Sequence, residues 1–133
     1  MVYKIPKKIL ARKDEITIEY FAIVEQHIND FLSGKATDFY EIRDFAEKMF
    51  IHPTHLSNTI KLTTGKSPCY FFEERIVAIA KSKLEENKMS ITEIAHFLTF
   101  DPSNFTKFFK RFVYQTPKQY RETFLTAASK AKN

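Results

Sequence analysis

The sequence predicts an all-α fold of about seven helices in which one helical unit occurs twice. Apolar residues recur at the three- and four-residue spacing of helices, and no stretch alternates for long enough to indicate a strand. Four of the five prolines lie at positions 53, 68, 102 and 117, so the second pair repeats the first at an offset of 49 residues. A chain of 133 residues is long enough for one domain with a substantial core.

The internal repeat extends well beyond the prolines. YEIRDFAEKMFIHPTHLSNTIKLTTGKSP (40–68) aligns without a gap with MSITEIAHFLTFDPSNFTKFFKRFVYQTP (89–117). Identical residues recur 49 positions later from Ile42, Ala46, Pro53, Lys61 and Pro68. Because internal repeats decide architecture, we expect the two segments to fold alike.

The first helix is predicted by an apolar stripe and a glycine. Phe21, Val24, Ile28 and Phe31 lie on one face of a helix over 16–33, and Gly34 ends it. Further helices are predicted over 39–49, 53–64, 68–87, 91–98, 102–113 and 117–127. Residues 1–15 are interpreted as a basic N-terminal arm and 128–133 as a tail.

The predicted helix starts rest on prolines and capping residues. Proline suits the first turn of a helix, and Ser67, Asp101 and Thr116 each supply a good N-cap before one. By the same criterion His52 is a poor cap for the helix that begins at Pro53. Capping boxes are predicted for two pairs, Ser90 with Glu93 and Asp38 with Glu41.

The stretch Thr-Thr-Gly-Lys-Ser-Pro (63–68) contains the tail of a phosphate-binding loop. Such a loop needs a glycine five residues before the Gly-Lys-Ser glycine, and that position is Ile60. We therefore interpret the stretch structurally: one helix ends at Gly65, and the next begins at Ser67-Pro68.

Composition favours an anionic partner. The net charge is +5 and the pI about 9.3, which suits nucleic acid or an acidic membrane surface, or simply a basic surface kept for solubility. No apolar run approaches the roughly 18 residues of a membrane span. A single cysteine, Cys69, excludes an intrachain disulfide and a cysteine-rich zinc site.

The positive charge is clustered, with five Lys/Arg and no acid over 102–121. This clustering favours nucleic-acid binding over mere solubility.

Each repeat unit has the helix-turn-helix layout, in which the second helix enters the major groove of DNA. The pairs are 39–49 with 53–64 and 91–98 with 102–113. Candidate base contacts on the two second helices are Thr54, Ser57, Asn58, Ser103, Asn104 and Lys107. Candidate phosphate contacts are Lys61, Lys110, Arg111 and Arg121. The alternative for each is a solvated side chain, and Arg121 has the further alternative of pairing with an acid inside the domain.

The helix over 68–87 is long enough to link two DNA-reading units. It would span roughly 30 Å at 1.5 Å per residue. Successive major grooves on one face of DNA lie about 34 Å apart. A single chain could therefore place two recognition helices one turn apart, without any need to dimerise on DNA.

Over roughly residues 38–123 the sequence resembles the DNA-binding domain of the AraC/XylS transcriptional regulators. The resemblance rests on HPTHLSNTIKLTTGKSP, on Ala80-Lys81 followed by SITEIAHFLTFDPSNFTKFFKRF, and on the terminal signature TPKQYR. It implies two homeodomain-like helix-turn-helix subdomains joined by a long linker helix, with 16–127 as the DNA-binding domain. It further implies a cytoplasmic, nucleoid-associated bacterial regulator of bipartite promoter sites that often contacts RNA polymerase.

The sequence departs from the family pattern at several positions. Thr99 and Tyr114 stand where the family usually has glycine, and Ile76 stands where a linker arginine is common. On the first recognition helix, short side chains replace the large ones of many members. Strong base reading by that unit is therefore doubtful, and the second unit or DNA shape is expected to contribute more.

Other functions are less well supported by the residues. The phenylalanines could stack on single-stranded bases, but their helical spacing indicates core. His52 and His55 could hold a metal, yet no third ligand is near in sequence. No activated nucleophile indicates an enzyme, so no catalytic residue, cofactor or metal is expected. The competing hypothesis is a helical protein-interaction module that has kept this fold and lost specific DNA reading.

Overall fold

The computed structural model describes residues 5–131, and this part of the chain consists of helices joined by loops, without a strand. Its helices are α1 (Lys7–Leu10), α2 (Lys13–Leu32), α3 (Ile42–Lys48), α4 (Pro53–Thr64), α5 (Pro68–Glu86), α6 (Ile91–Phe97), α7 (Pro102–Val113) and α8 (Pro117–Ala131). The all-α class is confirmed, and each of the seven predicted helices is present. The short helix α1 was not predicted; it lies within the segment interpreted as a basic arm, whose first four residues fall outside the described part.

The chain forms two compact units, one reaching to Glu73 and the other starting at Glu74. In the first unit, α4 packs against α1, α2 and α3. Its buried centre includes Val24, Ile28, Leu56 and Ile60. Tyr20 is buried with them and donates a hydrogen bond from its hydroxyl to the Pro68 carbonyl (2.9 Å).

A cluster of aromatic rings surrounds His27 in the first unit. The ring of His27 is buried, stacks on Tyr40 at 3.8 Å and lies edge-on to Phe45. Its Nε2 accepts a hydrogen bond from the Tyr40 backbone N–H (3.0 Å). Burial lowers the pKa of His27, so the neutral ring that this hydrogen bond needs is also the favoured form.

In the second unit α7 packs against α6 and α8. Leu84, Ile94, Leu98, Phe105 and Phe109 are completely buried there. This core follows the predicted apolar pattern, and it leaves one face of α7 for solvent.

Left-handed backbone recurs at equivalent places in the two repeats. Phe50 (φ 55°) and Thr99 (φ 65°) occupy the turns before the second helices, 49 residues apart. Gly65 (φ 78°) and Tyr114 (φ 65°) end those helices at the same offset. The two positions where the sequence lacks the family's glycine thus keep the backbone conformation that glycine adopts most easily.

Two predicted helix caps differ from the structure. The backbone N–H of Glu41 donates to Asp44 Oδ2 (2.8 Å) and α3 begins at Ile42, so the box predicted from Asp38 lies three residues too early. His52 was expected to cap poorly, but its Nδ1 accepts a hydrogen bond from the Thr54 N–H (3.1 Å). A neutral imidazole nitrogen can act as the acceptor that an N-cap requires. The predicted box of Ser90 with Glu93 is confirmed.

Candidate nucleic-acid interface

Five of the six DNA contacts predicted for the second unit lie on the exposed face of α7. Phe105, Phe108 and Phe109 are buried against the core. The opposite side exposes Ser103, Asn104, Lys107, Lys110 and Arg111. This separation follows from the helical period, since residues three and four apart share a face. The structure therefore brings these five side chains together on one polar and basic surface.

The corresponding face of α4 is smaller and less exposed. Leu56, Thr59 and Ile60 are buried. Of the candidates, Thr54 is exposed, whereas Ser57, Asn58 and Lys61 are only partly exposed. The sequence indicates that the first unit offers shorter side chains than α7, and the structure adds that they are less accessible.

The first turn of α7 is organised by a carboxylate. Asp101 Oδ2 accepts hydrogen bonds from the Ser103 N–H (3.1 Å), the Asn104 N–H (3.3 Å) and the Ser103 hydroxyl (2.8 Å). The Ser103 hydroxyl and the helix N–H groups hold the pKa of Asp101 below its ordinary value. The exposed carboxylate is therefore ionised at neutral pH, and it lies beside the predicted base contacts.

At the same place in the first unit stand two histidines. The rings of His52 and His55 lie 5.3 Å apart between centroids, and His55 Nδ1 is buried with no hydrogen-bond partner in the described part of the chain. Residues 5–131 contain no group of three or more His, Cys, Asp or Glu that could hold a metal ion. The pair therefore belongs to the helix start, where His52 acts as the cap.

Arg121 is engaged inside the second unit. Its Nε donates to the Leu84 carbonyl (3.0 Å) and its Nη2 to the Met89 carbonyl (2.7 Å). The sequence predicts Arg121 as a phosphate contact or as the partner of an acid inside the domain. The structure places its guanidinium on the carbonyl of Leu84, in the last turn of α5, and on that of Met89, just after the helix, where a cation is favoured. The structure thus shows Arg121 as a cap of α5, and its role as a phosphate contact stays a prediction.

The neighbouring Tyr120 reinforces the same junction. Its hydroxyl donates a hydrogen bond to the carboxylate of Glu85. Burial and this carboxylate raise the pKa of Tyr120 to about 12. α8 is thus attached to the end of α5 by two adjacent side chains.

Two exposed residues, Asp101 and Lys118, lie outside the predicted set of DNA contacts. Asp101 was identified only as a cap, although its exposed carboxylate borders Ser103. Lys118 is exposed at the start of α8 and was counted only within the basic segment. The repeat could have drawn attention to Asp101, because it aligns Asp101 with His52 and places both residues at the start of a second helix.

Within the described residues, no helix is long and apolar enough to cross a membrane.

Comparison with known proteins gives one family and a consistent fold. The family model described as a helix-turn-helix domain matches residues 45–123. A curated relative, histidine kinase P4 of Formosa agariphila, is 28% identical over 112 residues, which are 84% of this chain and 8% of that protein. The chain therefore spans less than a tenth of the length of this relative.

Solved structures with similar folds include two response-regulator domains. The C-terminal domain of AraT from Geobacillus stearothermophilus has a TM-score of 0.68 and 24% identity, covering 81% of this chain and 84% of that one. The C-terminal domain of the response regulator yesN from Fusobacterium nucleatum gives 0.64 and 25%, covering 77% and 93%. The DNA-binding domain of AdpA, solved with a target DNA, gives 0.65 and 18%, covering 80% and 94%.

Proposed function

The chain belongs to the AraC-type helix-turn-helix family of DNA-binding transcription regulators, and on this basis we propose that it recognises a two-part duplex site through α4 and α7. Domains of this family regulate transcription and are not enzymes. The proposal is carried by the exposed face of α7, which presents polar and basic side chains while the phenylalanines on the other side of the helix are buried. We propose that this face enters a major groove.

The proposed contacts divide into base readers and phosphate anchors. Asn104 suits adenine, and Lys107 suits the O6 and N7 acceptors of guanine. Ser103 is the third proposed reader on α7. Lys110 and Arg111 lie further along the helix and are proposed to neutralise phosphates, which fixes position without reading sequence.

The first unit is proposed to contribute the second part of the site. Its proposed readers are Thr54, Ser57 and Asn58, and its proposed phosphate anchor is Lys61. The helix α5 has 19 residues and spans roughly 30 Å, close to the separation of successive major grooves. The partial exposure of the α4 side chains supports a weaker sequence preference in this half.

Selection of bound duplexes from a random pool of about three helical turns tests the proposal. We expect a motif of two parts about 10 base pairs apart, with the α7 half more strongly conserved. A single short motif would mean that α7 alone reads sequence. No enrichment, together with affinity lost at moderate salt, would refute specific recognition and favour the protein-interaction hypothesis.

Charge-neutral variants separate DNA contact from general charge. Lys107→Gln and Lys110→Gln are both expected to weaken binding, but in different ways. Lys110→Gln should reduce the slope of log affinity against log salt by about 0.9, the value for one lost phosphate contact. Lys107→Gln should instead relax the preference for guanine at one position of the site. Lys35→Gln is the matched control, because Lys35 is exposed in the loop after α2 and belongs to neither second helix. Unchanged affinity in both α7 variants would contradict the proposed interface.

Two partner assignments follow from the same family and are proposed here. Two DNA-reading helices in one chain remove the need for a dimer, so we propose that the domain binds DNA as a monomer. We also propose contact with RNA polymerase at a bacterial promoter, with the protein on the nucleoid when bound. Sedimentation of the domain with a 30-base-pair duplex tests the stoichiometry, and a two-to-one complex would contradict the monomer.

A further inference from the structure

At the start of α7, the side chains of Asp101 and Ser103 expose oxygen atoms that can accept hydrogen bonds. Between them they leave no hydrogen free to donate. A serine hydroxyl has one hydrogen, and in Ser103 that hydrogen is donated to Asp101 Oδ2 at 2.8 Å. The exposed Ser103 Oγ is left with its lone pairs. The ionised Asp101 carboxylate has only acceptor oxygens, and Oδ1 is not used in the three bonds that cap the helix.

This acceptor pair restricts which base it can meet in a major groove. Guanine and thymine present only acceptors or a methyl group there. Adenine presents an amino donor, but its N7 acceptor lies beside it and would face the carboxylate. Cytosine presents its N4 amino group without a neighbouring acceptor on the same base, and it is the base to which carboxylates pair.

We propose that Asp101 and Ser103 together select cytosine in the half-site bound by α7. The inference rests on the proposed function, since it requires that this face of α7 enters the groove. Asp101 acts twice: it caps the helix, and it fixes the Ser103 hydroxyl so that the oxygen can only accept. Lys107 follows Ser103 by one helical turn and lies on the same face. The α7 half-site therefore combines a cytosine with a guanine within one or two base steps.

Reversal of the Ser103 hydroxyl does not rescue other bases. To donate to guanine or thymine, Ser103 would have to break a charge-assisted hydrogen bond to Asp101. The carboxylate would then face the same base acceptor. Both effects oppose guanine and thymine at this position.

The two halves of the chain differ at this point. The repeat places His52 where Asp101 stands and Thr54 where Ser103 stands. His52 Nδ1 accepts a hydrogen bond from the Thr54 N–H. Within residues 5–131 the Thr54 hydroxyl donates no hydrogen bond that would correspond to the one from Ser103 to Asp101. The cytosine preference is therefore a property of the second half-site alone.

The test compares base preferences of the wild-type protein, Asp101→Asn, Ser103→Ala and the control Lys35→Gln by selection from one random duplex pool. Asparagine caps helices as well as aspartate, so the fold is expected to survive, and thermal unfolding verifies it. We expect the wild type to prefer cytosine by roughly 5- to 100-fold at one position of the α7 half-site. Asp101→Asn should lose that preference in favour of adenine, to which an amide pairs. Ser103→Ala should weaken the cytosine preference, and Lys35→Gln should leave it intact.

Distinct outcomes separate this inference from the proposed function. A wild-type motif without cytosine in the α7 half, or cytosine preference retained in Asp101→Asn, overturns the inference and leaves two-part recognition standing. A rise in affinity for all sequences alike in Asp101→Asn, with the cytosine preference unchanged, would show that the carboxylate acts only as a repelling charge. If the wild type enriches no motif, the proposed function fails and the inference fails with it. Should Asp101→Asn unfold, Ser103→Ala alone decides, because it leaves the cap in place.

Discussion

Replacing Phe50 with glycine should stabilise the protein, although it removes a large apolar side chain. Phe50 stands at φ 55° in the turn between α3 and α4 and is 96% exposed. Its ring therefore contributes almost no burial. The left-handed conformation costs an ordinary L-residue roughly 1–2 kcal/mol, and glycine avoids most of this.

The expected gain in folding free energy is the difference between one favourable contribution and two unfavourable ones. Glycine removes the left-handed penalty but increases the conformational freedom of the unfolded chain, at a cost of roughly 0.4–1 kcal/mol. Loss of the last few per cent of buried ring area costs only about 0.2 kcal/mol at 25 cal/mol per Å². At the midpoints of these ranges the net stabilisation of Phe50→Gly is about 0.6 kcal/mol. For a chain of 133 residues this raises the unfolding midpoint by roughly 2–4 °C.

Thermal unfolding followed by circular dichroism measures this shift, and two variants control for its cause. Phe50→Ala removes the ring and keeps the Cβ, so its midpoint should stay near that of the wild type. Gly65→Ala is the reverse change: a Cβ there would meet no atom within 4 Å, yet φ is 78°, so a loss of about 1 kcal/mol comes from the backbone alone. A gain in Phe50→Ala equal to that in Phe50→Gly would refute the backbone explanation. So would a neutral Gly65→Ala.

Three further predictions follow from contacts in the two units. Arg121→Gln should lower the free energy of unfolding by about 1.5–3 kcal/mol in urea denaturation, because charged hydrogen bonds to backbone carbonyls are lost, and should leave the salt slope of DNA binding unchanged. Lys110→Gln should leave the unfolding midpoint unchanged and make the salt slope of DNA binding shallower. A shallower salt slope in Arg121→Gln, with no change of slope in Lys110→Gln, would assign the phosphate contact to Arg121. Burial lowers the pKa of His27, so its stabilisation should be complete above about pH 6.5, the unfolded value, and should decline as acid protonates the unfolded chain first. His27→Gln keeps an acceptor for the Tyr40 N–H and should flatten this decline in urea denaturation between pH 7 and 5.5; an unaltered pH profile would exclude His27 as its source.

The order and type of the main helices could be predicted because several local signals agree. The apolar period, the prolines and the 49-residue repeat all indicate the same elements. A sequence predicts its structure well when such local and global signals agree. The start of α4 was placed correctly from Pro53 alone. The face of α7 was also predicted, because the phenylalanines fix which side is buried.

The remaining features depend on contacts that local pattern does not encode. Arg121 lies more than 30 residues from the carbonyls that it caps, so its sequence neighbours give no hint of that role. His52 caps α4 through an uncommon acceptor, which residue preferences undervalue. The first capping box is formed by Glu41 and Asp44 instead of Asp38 and Glu41. Residue preferences favour Asp38 over Glu41 as an N-cap, so the path of the chain, which those preferences do not encode, decides this helix start. The short helix α1 is stabilised by its packing against α4 and has little periodicity of its own.

The contact between Arg121 and the end of α5 has a consequence for where a fragment of this protein can be cut. The carbonyls of Leu84 and Met89 depend on a side chain in α8, so a fragment ending before position 121 would contain all of α5 and still fray at its last turn. The smallest second unit able to fold alone must extend at least one full turn into α8. Beyond Arg121 the side chains are mostly exposed, and trimming there removes little that the core requires.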